Sequence, residues 1–213
     1  MPRLPGPGAA LPPPAGADDG DRAVSTAVFA YGSLVAAASA AETLSRPVAP
    51  EPATLTGFRR GFTVVRDNRA SEKTFARRAD GSIPDWVLGL DVAVADGSVN
   101  GALIAVEEAE LTRLDIREIR YRRVEVGAAV AGPAADGYDR IYTYAARPEH
   151  HAPVAPPGAV IIAAYEATVK AAFAALGSGE LDRYLATTSL CAVERIDAEL
   201  VADRIPAGNP RRW

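Results

Sequence analysis

Two features of the sequence have residue types and spacing suited to chemistry. The first is Glu118, in the run VEEAELTRLDIREIRYRRVEV over residues 106–126. A helix starting near Glu107 puts Glu118 seven residues after Leu111 and four after Leu114, on the apolar stripe. A carboxyl group facing a core is disfavoured as the anion, so its pKa rises toward the range useful for proton transfer near neutral pH. The same spacing also allows Glu118 to lie past the last turn and pair in solvent with Arg117, Arg120, Arg122 or Arg123. The second feature is the turn Tyr31-Gly32-Ser33-Leu34, where a short apolar run ends in Gly-Ser. Consecutive backbone N–H groups in such a turn can form a concave site for a carboxylate, although Gly-Ser also ends strands with no further role.

Other reactive side chains carry less. Ser33 lacks a G-x-S-x-G elbow, and the only histidines are the adjacent pair His150-His151 in a Pro-flanked segment read as exposed loop. Adjacent histidines rarely share one ion, and no Cys or carboxylate spacing supports them, so no metal site is expected. Cys191 reads as a small buried hydrophobe. The cluster Arg117, Arg120, Arg122 and Arg123 adjoins Asp115, Glu118 and Glu125 and reads as a solvated face. Tyr165 and Phe173, at helical spacing, read as core.

The elements that must hold these residues follow from patterning. Residues 1–24 form a Pro/Gly/Ala-rich tract read as a disordered tail, with too few apolar residues for a secretory signal. The folded domain is placed at 25–187 and a C-terminal extension at 188–213, ending in a tail read as extended. About six strands are expected, at 28–31, 53–65, 86–94, 100–106, 121–130 and 140–145, with a hairpin at Asp96-Gly97 joining the third and fourth. Helices are expected at 107–118, 159–176 (stopped by Gly177) and 180–186. This order is α+β.

Composition sets the outer bounds. The chain has 213 residues, enough for one well-packed domain, and its 48% hydrophobic and 23% charged residues are globular in proportion. A net charge of −4 repels phosphate backbones and anionic lipid, so no nucleic-acid partner is expected. No stretch approaches the roughly 20 apolar residues of a membrane helix, so no membrane partner is expected either. One cysteine excludes an intramolecular disulfide and fits a reducing cytoplasm. The Ala/Arg/Pro-heavy composition suggests a GC-rich bacterial genome. Oligomeric state is left open.

Taken together and in order, these pieces resemble the gamma-glutamylcyclotransferase-like family, which includes gamma-glutamylamine cyclotransferase and AIG2-like proteins. The matching segments are FAYGSL at 29–34, ATLTGFRRGF at 53–62, residues 99–126 and YEATVKAAFAALGSGELDRYL at 165–185. The resemblance implies a small mixed β-barrel, closed or nearly so, with flanking helices. Its YGSL-type loop, here Tyr31, Gly32, Ser33 and Leu34, would bind a glutamyl head group. Its catalytic acid/base would be Glu118, and Tyr121 matches a tyrosine found shortly after that glutamate. Many members have glycine directly after the glutamate, where this chain has Ile119.

The implied reaction needs no cofactor. The α-amine of a γ-glutamyl amide attacks its own γ-carbonyl, closes a five-membered ring and expels the amine as 5-oxoproline forms. Glu118 would move the proton, and the small-molecule γ-glutamyl donor would be the partner. Two other readings stand beside it. One is a tailoring cyclotransferase that removes a γ-glutamyl protecting group from a biosynthetic amine. The other is a non-catalytic binding or interaction module on the same scaffold.

Overall fold

The computed structural model describes residues 24–189 and 191–210. The expected N-terminal tail lies almost wholly outside them. β1 (Thr26–Ala30) is buried along its whole length and feeds the turn at Tyr31. A short 3-10 turn, Ser33–Val35, and helix α1 (Ala37–Leu44) follow. β2 (Glu51–Asp67), β3 (Lys73–Arg77) and β4 (Trp86–Val106) come next, then α2 (Glu108–Arg117), β5 (Tyr121–Glu125), β6 (Val130–Ala131) and β7 (Arg140–Ala146). The chain ends in β8 (Val160–Ile162), α3 (Ala163–Leu176), α4 (Glu180–Thr187), β9 (Thr188–Ser189), β10 (Glu194–Ile196) and β11 (Ala198–Asp203).

These elements form a mixed α+β fold around a nine-stranded sheet, in the order β10-β8-β4-β1-β7-β5, with β2 also on β4 and carrying β6 and β9. β11 and β3 make a separate antiparallel pair. The sheet curls without closing, so the expected barrel is open. β1 is central, antiparallel to β4 and parallel to β7, and its buried side chains anchor the main core. A Cβ on Gly101 would overlap the Ala30 carbonyl oxygen and the Phe29 ring, so glycine lets β4 pass close behind the end of β1.

The hairpin expected at Asp96-Gly97 does not form. Residues 86–106 are one strand, because both halves pair with the same partner: Phe58 faces Val94 and Thr56 faces Ser98. The chain between is a bulge in which Gly57 (φ 82°) and Gly97 (φ 145°) adopt left-handed backbone. A second slip leaves Phe62 and Thr63 opposite Leu90, between the pairs Gly61–Asp91 and Val64–Gly89. The strand expected over 121–130 is shorter, and the helix expected from 159 begins at 163 because Val160–Ile162 joins the sheet. β3, β6 and the strands after 187 were not expected. The C-terminal extension pairs with the body through β9 on β2, β10 on β8 and β11 on β3.

The late helices are tied to the sheet by Arg60, which is fully buried on β2. Its guanidinium lies 4.3 Å from the Tyr184 ring centroid and 4.8 Å from that of Phe173. It donates to Thr188 Oγ1, to the Asn100 carbonyl and to Asn100 Oδ1 at 2.7–2.9 Å. A longer bond of 3.4 Å reaches the Tyr31 carbonyl, so the same cation touches the turn that follows β1. Burial lowers its pKa to about 10, which leaves it charged at neutral pH.

Candidate functional site

Glu118 is the C-cap of α2, one residue past the helix (φ −93°, ψ 51°). Its N–H donates to the Leu114 carbonyl and its own carbonyl accepts from the Tyr121 N–H, both at 2.8 Å, so the backbone is pinned on each side. The exposed Ile119 lies within this turn. The side chain is 13% exposed and neither faces a purely apolar core nor pairs in open solvent. Its partner is Arg117, whose Nε donates to Glu118 Oε1 at 3.1 Å.

The solvated face expected for the arginine cluster is half wrong. Arg117 and Arg120 are buried, at 4% and 9% exposure, whereas Arg122 is exposed. Arg117 escapes solvent because polar groups meet each arm: Thr43 Oγ1 at 2.6 Å, Ser39 Oγ at 3.0 Å and Ser33 Oγ at 3.4 Å. One guanidinium therefore joins the end of α2, helix α1 and the turn after β1.

That turn forms the opposite wall. Gly32 has irregular backbone (φ −134°, ψ −136°), neither strand nor helix, after which the chain tightens into the 3-10 turn. The turn's own bonds run from Val35 N–H to Gly32 O at 3.0 Å and from Ala36 N–H to Ser33 O at 3.2 Å, which leaves the Ser33 and Leu34 amides outside that ladder. Tyr31 donates its hydroxyl to the Tyr144 carbonyl at 2.6 Å. Burial, reinforced by Tyr121, Asp91 and Glu118, pushes its pKa well above the usual value, so it remains a donor. Tyr144 in turn donates to Asp115 Oδ1 at 2.7 Å. Its pKa is raised by burial and then by that bond.

Tyr31, Gly32, Ser33, Leu34, Glu118 and Tyr121 line one cavity, together with Leu90, Tyr144 and Tyr165. The Tyr121 hydroxyl donates to the Leu90 carbonyl at 2.7 Å, where the β2–β4 register slips. Tyr165 was read as core. It does pack, half-buried, against both apolar clusters, and it also places its hydroxyl 3.6 Å from where a Gly32 Cβ would sit. Tyr121 and Tyr165 also bound a second, partly open chamber. Helical periodicity gave no means of separating such a cavity-facing tyrosine from a packed one.

The histidine segment also differs from the exposed loop expected. His151 Nδ1 lies 3.0 Å from Oδ2 of the buried Asp91, and His151 bridges to Val64 of β2. His150 has its pKa lowered, by burial and then by Arg120. Among the described residues, no three of His, Cys, Asp and Glu gather as a metal site. No helix there is long and apolar enough to cross a membrane.

Residues 28–159, which hold both the turn and Glu118, match the family model described as Gamma-glutamyl cyclotransferase, AIG2-like. The chain belongs to this family. Tyr165 and everything after β8 lie outside the matched span, so the family segment supplies most of the cavity and the later helix closes it. No curated protein matches the chain. A solved gamma-glutamyl cyclotransferase is similar at 16% identity and a TM-score of 0.52, over 80% of this chain and 93% of that one. An uncharacterised protein from Homo sapiens is similar at 17% identity and 0.53, over 81% and 94%. At these identities the likeness concerns the fold. An Arabidopsis thaliana protein shares 28% identity with a TM-score of 0.38, over 60% of this chain. This chain spans 65% of that protein, just under two thirds of its length.

Proposed function

We propose that the protein is a cofactor-independent cyclotransferase that converts a γ-glutamyl amide to 5-oxoproline with release of the amine. The observation that carries this reading is the convergence of the turn at 31–34 and the Glu118 carboxylate on one cavity. In the reaction, the Ser33 and Leu34 amides hold the substrate α-carboxylate. The α-amine is thereby folded back toward its own γ-carbonyl, and this preorganisation removes several kcal/mol, on an order-of-magnitude scale, from the barrier of an intramolecular attack.

Glu118 handles the proton. Its Oε1 is held by Arg117, and among the described residues Oε2 accepts no hydrogen bond. Oε2 takes a proton from the substrate ammonium, whose pKa of about 8 keeps it mostly protonated in neutral solution. It returns that proton to the leaving nitrogen as the C–N bond breaks and takes a second from the ring nitrogen, which keeps one hydrogen in the lactam.

The test is 5-oxoproline release from a panel of γ-glutamyl dipeptides, γ-glutamyl amines and glutathione, with wild type and Glu118→Gln compared. Turnover of one donor class that falls by orders of magnitude in a folded Glu118→Gln is the expected result. Undiminished turnover in that variant removes Glu118 from the mechanism. A wild type that binds donors without turning them over returns the protein to the binding-module reading.

A further inference from the structure

The second chamber adjoins the cavity that holds Glu118, and Tyr121 and Tyr165 line both. On the chamber side Gly89 leaves room for the Tyr121 hydroxyl, from which a Cβ there would stand 3.4 Å. Phe75, Val87, Leu88 and Ile162 give the chamber a mainly apolar lining. Its charged lining residues are Arg66 and Arg120, both cationic, with side chains only 10% and 11% exposed.

Both guanidiniums are organised around Glu72. Arg120 holds its two oxygens at 2.8 and 2.5 Å, and Arg66 Nη1 lies 3.9 Å from Oε1. Arg66 is also steadied over the Phe75 ring, 5.0 Å from its centroid. The three side chains together carry net positive charge in a poorly solvated wall, where an anionic ligand group is worth more than at a surface. The lowered pKa of His150 leaves that neighbour neutral at pH 7, so it changes neither the sign nor the size of this charge.

We propose that this chamber receives the leaving amine and that Arg66 and Arg120 select amines bearing a carboxylate on an apolar body. The preferred donors are then γ-glutamyl derivatives of apolar α-amino acids, ahead of γ-glutamyl derivatives of neutral or cationic amines. This inference rests on the cyclotransferase reading, because it assigns the leaving-group side of that same site.

The closing experiment pairs two donors that differ by one group, γ-glutamyl-phenylalanine and γ-glutamyl-phenethylamine. Release of 5-oxoproline is followed with the full chain, and Arg66→Met, Arg66→Lys and Arg120→Met are compared with wild type. Wild type is expected to favour the carboxylate donor by roughly ten- to a hundredfold in kcat/KM, the range expected of a hydrogen bond to a charged group. Both methionine variants bring the ratio toward one, mainly through KM, and Arg66→Lys keeps part of the preference. Arg66 is the less entangled with Glu72, so Arg66→Met decides the matter if Arg120→Met does not fold. Equal wild-type kcat/KM for the two donors, or a preference that persists in Arg66→Met, overturns the inference and leaves the cyclotransferase reading intact. No 5-oxoproline from these or any other γ-glutamyl donor overturns both.

Discussion

Arg117 Nε stands 3.1 Å from Glu118 Oε1, and the same guanidinium bonds Thr43 and Ser39 of α1 and Ser33 of the turn after β1. Glu118 caps a helix and would otherwise swing about its side-chain torsions, and holding Oε1 leaves Oε2 as the oxygen presented to a ligand. In the proposed reaction Arg117 is a positioning residue. Arg117→Met is expected to lower kcat by about ten- to a hundredfold with a smaller change in KM, because misplacing a reacting group costs rate more than affinity. Arg117→Lys, which keeps charge without the planar array of donors, recovers only part of it. Steady-state kinetics beside a thermal melt checks this. Unchanged kcat in folded Arg117→Met removes the role.

Tyr121 supports a second prediction. Its hydroxyl is fixed on the Leu90 carbonyl at 2.7 Å, on the wall common to both chambers. Tyr121→Phe deletes that bond and leaves the carbonyl without it, at a cost of about 1 kcal/mol in stability. A several-fold rise in KM for the γ-glutamyl donor is expected, since the lost hydroxyl also orders the boundary between the head-group and leaving-group sides. A stability loss with unchanged KM would assign Tyr121 to packing alone.

How far the sequence disclosed these arrangements depends on distance along the chain. The turn at 31–34 and the helix ending near 118 are local patterns, so apolar runs, Gly-Ser and the spacing from Leu111 and Leu114 were sufficient to find them. Arg117 was misplaced because a charged residue among charges reads as solvated, while its hydroxyl partners lie 74 to 84 residues away. Asp96-Gly97 has the composition of a tight hairpin, yet whether two flanking runs pair with each other or with a shared third strand is a tertiary fact. β9, with two residues, and β10, with three, are too short to show a period. The Arg60 clamp was hidden for the same reason as Arg117, since Asn100, Thr188 and the two rings converge on it only after folding.

That clamp leads to a third prediction. Arg60 is a buried cation held by neutral acceptors and two aromatic faces, so removing it leaves buried oxygens of Asn100 and Thr188 short of a donor. Arg60→Met is expected to cost roughly 2–4 kcal/mol, which for a chain of this length lowers Tm by on the order of 10 °C. Because α3 carries Tyr165, loosening the clamp also weakens donor binding. A melting curve unchanged within a degree or two would show that the methionine and its neighbours repack without loss.

Glu72 gives a prediction with a sign that can be worked out. Burial alone would raise its pKa, but the hydrogen bonds and charge of Arg120, with Arg66 behind, prevail and hold it at about 2 instead of the usual 4.5. A carboxyl group whose folded pKa is depressed stabilises the fold fully above its unfolded pKa, and that contribution is lost as pH falls through the folded value. The window therefore runs from about 4.5 down to about 2. With its side chain only 10% exposed, the effect at neutral pH is on the order of 2–3 kcal/mol. Denaturant unfolding of wild type and Glu72→Gln, repeated from pH 7 downward, should show a stability gap that is constant to about pH 5 and then narrows steadily. A gap that stays the same at pH 3 as at pH 7 would mean that Arg120 and Glu72 are held together by shape and packing, with little contribution from the charge on the carboxylate.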